Sequence, residues 1–311
     1  MMTESAAQQI ILRDKDMPQD EQQTDDERIL IPMKYPEYAN RLLSLAIMMR
    51  NPKLRREIVG LNVVYDDDDM RANQERGQRL LENVSKYAAA ADVKMQTQVR
   101  VAANIANGIK HAFKEFRASE IIIGMHMHKE VSQKFWGAFH QSLFNGLNNQ
   151  IIMARLNQPL TTIRHIHVAV PSKAQFEPGF YRWLERLDRL AGNMECRMMF
   201  HGRPDTLSLI NKYTMQHHPD VKAEYMAMDH WNELPRLAAN ISGDNLFVVV
   251  AARKGTVSYK NAIEYLPEEL TTHFSGTNLI IIFPDQHGNA MDEMTFAQPQ
   301  HTEAVSYTHL T

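Results

Sequence analysis

Cysteine is almost absent from this chain: Cys196 is the only one in 311 residues. A single thiol excludes an intrachain disulfide and any zinc cluster built from thiolates, and it suits a reducing compartment. Long apolar runs are also lacking. No stretch approaches the roughly 18 apolar residues that a bilayer-spanning helix needs, and the start has neither the basic residues nor the hydrophobic segment of a signal peptide. The expectation is a soluble, cytoplasmic polypeptide. Charge of one sign is missing too: 34 Lys and Arg stand against 37 Asp and Glu, for a formal net charge of -3. Such a balance gives no general pull toward nucleic acid or an anionic membrane surface. No serine stands in a nucleophile-elbow sequence, and Cys196, placed inside a strand pattern, reads as a small buried hydrophobe. No catalytic arrangement emerges, so the chain is not read as an enzyme.

What the sequence does have is 44% hydrophobic residues, enough for sizeable cores, arranged as β-rich apolar runs alternating with amphipathic stretches. That alternation marks βαβ units on a mostly parallel sheet. Strands are expected over residues 29–33, 57–65, 93–101, 120–124 and 150–154. Helices are expected between them, over 38–49, 69–91, 103–116 and 131–147. The plan then repeats at an offset of about 130 residues. Strands are expected over 164–170, 195–200, 221–226, 245–250 and 278–283, with helices over 180–190, 205–215 and 231–239. The predicted organisation is a polar, acid-rich leader over residues 1–27, a first domain over 28–155, a short joint containing Pro159, and a second domain over 163–285. A tail over 286–311 follows, its end reading as a scar. Each domain is expected to be a doubly wound, mostly parallel five-stranded α/β sheet.

In such sheets ligands bind beyond the strand tips where the strand order reverses, so the loops after the first and fourth strands carry the information. After the fourth strand come Gly124, Met125, His126 and Met127, then nine residues, then Gly137 and Ala138. This spacing resembles the signature of universal stress proteins, and the resemblance covers nearly all of residues 28–155. In that family the loop and the following helix N-terminus hold the phosphates of ATP, and an aspartate ending the first strand contacts the nucleoside. Three positions differ. Met127 puts a side chain where a glycine would let backbone approach phosphate, Ala138 removes a hydroxyl donor, and Lys34 replaces the aspartate and reverses its charge. ATP or another adenine nucleotide is therefore the ligand class that the resemblance implies, through a site altered at three places. Gly124, His126, Met127, Gly137, Ala138 and Lys34 are the candidate ligand residues. Lys34 and His126 could also meet an anion directly. The second copy lacks the spaced glycines, and Arg253 and Lys254 read as either an anion contact or a solvated basic turn.

Other features have plainer readings. Asp66 to Asp69 reads as N-capping and dipole complementation before a helix. The histidine pairs 126/128, 165/167 and 217/218 lack a third ligand, so no metal site is expected. Phe180, Tyr181, Trp183 and Leu184 read as a seal of a helix against the sheet. The resemblance further implies pseudo-symmetric pairing through the last strands, within the chain or in a homodimer. Degenerate tandem stress domains look like the cytoplasmic C-terminal region of bacterial cation/proton antiporters. The expected function is thus a regulatory module sensing a ligand or partner, with an antiporter membrane domain as the partner. The alternative is a free-standing tandem stress protein that binds nucleotide or protein partners.

Overall fold

The computed structural model describes residues 27–125, 142–143 and 145–287. In the first half the order is β1 (Ile29–Pro32), α1 (Pro36–Met49), β2 (Ile58–Tyr65), α2 (Met70–Ala90), β3 (Met95–Ala102), α3 (Ile105–Glu115), β4 (Glu120–Gly124) and β5 (Gln150–Arg155). The second half runs β6 (His165–Ala169), α4 (Phe180–Met194), β7 (Arg197–Gly202), α5 (Pro204–His217), β8 (Ala223–Ala227), α6 (Leu234–Ala238), β9 (Asn245–Val250), α7 (Leu266–His273) and β10 (Asn278–Phe283). The strands form one sheet in the order β3-β2-β1-β4-β5-β10-β9-β6-β7-β8. Each half therefore repeats one winding, and all pairings within a half are parallel. The exception joins the halves: β10 runs antiparallel to β5, with Ile281 opposite Met153.

The apolar runs without alternation occupy the centre. Every residue of β9 and β10 is buried, as a strand covered on both faces requires. One layer, containing α1, α2, α4 and α5, packs on Ile29, Ile122, Ile152, Val248 and Ile280. On the opposite face, α3, α6 and α7 pack on Leu30, Ile121, Met153, Phe247 and Ile281. Both cores thus contain residues of both halves. The aromatic seal expected at α4 is present: Phe180 and Trp183 are buried edge to face, centroids 5.3 Å apart.

Two strand starts differ from the sequence expectation for one reason, a helix stop that the chain uses three times. Asp92, Arg117 and Glu195 take left-handed conformations, with φ of 55°, 50° and 53°. At each, the next amide bonds back over the last helical turn, as in Val93 N to Ala88 O, Ala118 N to Phe113 O and Cys196 N to Ala191 O, all 3.0 Å. These are Schellman stops built without glycine, the residue that normally signals them. They push the start of β3 to Met95 and of β7 to Arg197, and leave Cys196 in the turn before β7. Its buried thiol donates to Ile163 O at 3.0 Å, and burial pushes its pKa up against a smaller opposing pull from Arg164. The helix expected over 231–239 is only a short 3-10 turn followed by the five-residue α6.

The expected leader ended at residue 27, yet Glu27 is buried in the fold. Its carboxylate accepts from Asn51 N at 3.0 Å and pairs with Arg186 at 2.8 Å. Arg186, on α4, also forks onto Glu120 at the start of β4, with Nε and Nη2 each 2.8 Å from a carboxylate oxygen. Arg182, one turn earlier, lies 3.8 Å from Glu120 and 3.4 Å from Asp285. Burial alone would raise the Glu120 pKa, but the charge and hydrogen bonds of Arg186, then the charge of Arg182, outweigh it and hold the carboxyl below its ordinary range. This chain of buried charges ties the second half's α4 to the first half's β1 and β4.

Candidate functional site

Strand order reverses between β1 and β4 in the first half and between β6 and β9 in the second, so each half has a crevice at its strand tips. The first crevice is open. A cavity of about 560 Å³ lies there, floored by Gly124 and Met125 at the end of β4 and by Ala154 and Leu156 at the end of β5. Tyr35, Tyr38 and Arg41, at the start of α1, form one wall, and Thr271, Ser275 and Gly276 of the second half form another. A Pro at the first position of α1 fixes where that wall begins. The cavity's cations are positioned by carbonyls: Arg41 Nη1 donates to Leu156 O at 2.6 Å, and Arg155 Nη2 to Phe274 O at 2.5 Å and Thr277 O at 3.0 Å. Burial lowers the Arg155 pKa from its ordinary value. Tyr35 and Tyr38 meet edge to face, centroids 6.4 Å apart. The site thus offers aromatic surface and two guanidinium groups beside Glu37, a lining suited to a ligand with a flat or apolar body and an anionic group.

The second crevice is closed. Glu177, from the loop after β6, reaches the loop after β9, where its Oε1 accepts from Ser258 N at 2.9 Å and from Ser258 Oγ at 2.5 Å. Its Oε2 accepts from Gln286 Nε2 at 3.0 Å. Arg253 is not a solvated basic turn. It is half-buried, donating to the carbonyls of Asn149 at 2.6 Å and of Pro284, and burial lowers its pKa to about 10 despite the charges of Asp285 and Glu177. Lys254 is exposed, 4.0 Å from Glu264.

No family model matches the chain, and no curated protein shows significant sequence similarity to it. Solved structures do match in fold. A universal stress protein from Archaeoglobus fulgidus superposes with a TM-score of 0.56 at 13% identity, over 84% of this chain and 97% of the other. A putative universal stress protein from Pseudomonas aeruginosa gives 0.54 at 13% identity, over 84% and 94%. The cytoplasmic domain of a prokaryotic cation chloride cotransporter gives 0.58 at 10% identity, over 87% and 100%. The chain has the universal stress protein fold in tandem.

In this tandem stress fold the candidate residues divide into three groups. Gly124 lies on the floor of the first cavity. Lys34 does not line it; its ammonium sits 5.3 Å from the Tyr35 ring centroid, at the exposed start of the loop. His126, Met127, Gly137 and Ala138 lie outside the described residues. Arg41 and Arg155 were missed, because arginines that answer carbonyls far along the chain leave no local motif. Arg155 did carry a signal, as the charge ending the wholly apolar run of β5.

The remaining polar features differ from their sequence readings in their partners. Asp69 begins α2 without a side-chain cap, and the bond there runs from Asp69 N to Asp67 Oδ1 at 3.0 Å. His167 stacks on His201 rather than acting with His165, with Nδ1 3.2 Å from Nε2. Burial, then the neighbouring His167, lowers the His201 pKa to about 4. His218 Nε2 lies 2.6 Å from Glu185 Oε2, whereas His217 packs on the Tyr213 ring. Among the described residues no group of three or more His, Cys, Asp or Glu could hold a metal ion, and no helix is long and apolar enough to cross a membrane.

Proposed function

We propose that this chain is a non-catalytic regulatory module of a cation/proton antiporter, working on the cytoplasmic side and reading a ligand in the first crevice. The observation that carries this reading is the asymmetry of the tandem fold: one crevice holds a cavity of about 560 Å³, and the other is shut by a side chain of its own half. The described lining has a single carboxylate, Glu37, and no histidine or cysteine beside a hydroxyl, so it offers groups for holding a ligand and none paired for acid–base or nucleophilic work. The wall contributed by Thr271, Ser275 and Gly276 means that a ligand would touch both halves. The shared fold of a cation chloride cotransporter's cytoplasmic domain supports attachment to a transporter. The Archaeoglobus stress protein, matched over a similar extent, supports the free-standing alternative, a cytosolic tandem protein that binds nucleotide.

Two measurements test this. In a thermal-shift panel of ATP, ADP and AMP, a nucleotide at one hundred times its Kd is expected to add about 2.7 kcal/mol, roughly 4 °C in Tm for a chain of this size. The shift should vanish in Ser275→Trp, provided that variant melts like the wild type without ligand. A flat panel would remove adenine nucleotides as the ligand. Reading the transcript upstream of the Met1 codon decides between the two settings: an open frame encoding apolar segments of about 20 residues is expected, and a stop codon with a ribosome-binding site there would leave the free-standing protein.

A further inference from the structure

Two loops flank the closed crevice, and the contact between them has the form of a bound ligand. Ser258 follows the turn at Gly255, whose φ is +89°, and is 0% exposed. Its amide and its hydroxyl both donate to one oxygen of Glu177. A third donor, the Gln286 amide, takes the other oxygen, and the Arg253 guanidinium interacts favourably with the same carboxylate. Convergent N–H and O–H donors next to a partly buried cation form an oxyanion receptor, since each bond to an ionised acceptor in a water-poor site is stronger than a neutral one. The carboxylate that fills it is 4% exposed and arrives from 81 residues away in sequence. Close packing holds the incoming loop: a Cβ on Gly179 would lie 2.5 Å from Asp285 N, so this segment seats only with glycine there.

We propose that the second crevice is an oxyanion site permanently occupied by the protein's own Glu177 carboxylate, which closes it to free anions and leaves the first crevice as the responsive one. Removing the side chain at Cβ frees the Ser258 donors and opens a space of carboxylate size. A small free carboxylate, or inorganic phosphate, then takes the vacated place. The inference does not depend on which ligand the first crevice takes.

The test is chemical rescue of Glu177→Ala. Its Tm should fall by on the order of 5–10 °C, because buried donors lose their acceptor. Sodium acetate should restore part of that loss, relative to sodium chloride at equal ionic strength, while leaving the wild type unchanged. Phosphate in a parallel arm shows whether the site admits a larger oxyanion, and rescue by either anion supports the proposal. In Glu177→Ala/Ser258→Ala the rescue should be lost. Equal effects of acetate on wild type and variant, no anion-specific effect at all, or rescue surviving in the double variant would overturn it. If Glu177→Ala does not accumulate folded, it is refolded from urea in acetate or in chloride: better recovery in acetate supports the proposal, and equal recovery or failure in both overturns it.

Discussion

Arg186→Ala is expected to lower the unfolding free energy by about 3–5 kcal/mol, the cost of removing one partner from a buried ion pair. The reason lies in what remains. Glu120 is fully buried, with Arg186 supplying its two shortest charged bonds, and Glu27 loses the same cation. Arg182, 3.8 Å from Glu120 and shared with Asp285, is too far away to replace a bidentate fork. The loss should shrink on acidification, because protonating the stranded carboxylates removes the uncompensated charge. Urea denaturation of wild type and variant at neutral and acid pH measures both effects. A neutral-pH difference under about 1 kcal/mol would place the pair among weak surface bridges and refute the argument. Since the bridge links α4 to β1 and β4, the two halves should still unfold in one transition in the wild type.

The second large effect depends on pH. Asp188, on α4, is 0% exposed and among the described residues accepts from Thr214 Oγ1, at 2.9 and 3.2 Å. Burial is the main cause that raises its pKa from 3.8 to about 7; Glu185 adds to the rise, and His218 and the Thr214 bond oppose it. A folded pKa above the unfolded one means that the native state binds the extra proton between the two values. Stability from this group is therefore complete below about pH 4 and is lost as pH rises to about 7, a change of about 4 kcal/mol at ~1.36 kcal/mol per pKa unit. Asp188→Asn removes that dependence. Its unfolding free energy relative to wild type should climb between pH 4 and 7 and level off above. A difference constant across that window would show that Asp188 titrates normally. The adjacent bond extends the trend: His218, which burial alone would lower, is raised by the Glu185 bond and charge, so its contribution is present below its unfolded pKa and fades as pH rises through the folded one. Glu185, raised by burial but lowered more by His218, Arg189 and Tyr213, ends at about 2, so its contribution is present above its unfolded pKa and is lost as pH falls toward 2. His201 runs the other way, since its pKa of about 4 favours the fold as pH rises toward neutrality. This is why the comparison with Asp188→Asn, and not the wild-type curve alone, isolates the effect.

The fold could be read from the sequence because its central strands declare themselves. Leu246 to Val250 and Leu279 to Phe283 are apolar throughout, and only a strand covered on both faces tolerates that. Boundaries failed where the chain broke a local rule, as at Asp92 and Glu195, which end helices in the conformation that glycine usually supplies. Topology points to the strand tips, where Gly124 lines the first cavity, but the contacts that shape the crevices left no local signal. Glu177 with Ser258, Arg41 with the Leu156 carbonyl and Arg186 with Glu120 are all contacts between distant segments. Such pairs have no spacing to recognise, whereas a glycine signature does. Lys34 shows the converse: a motif position identified by spacing, whose side chain lies outside the cavity lining.

The antiparallel seam between β5 and β10 turns one half of the sheet upside down relative to the other. Strand tips of the first half therefore face one rim of the plate, and those of the second half face the opposite rim. The open crevice and the one filled by Glu177 therefore lie at opposite ends of the strands, with a continuous hydrogen-bonded floor between them.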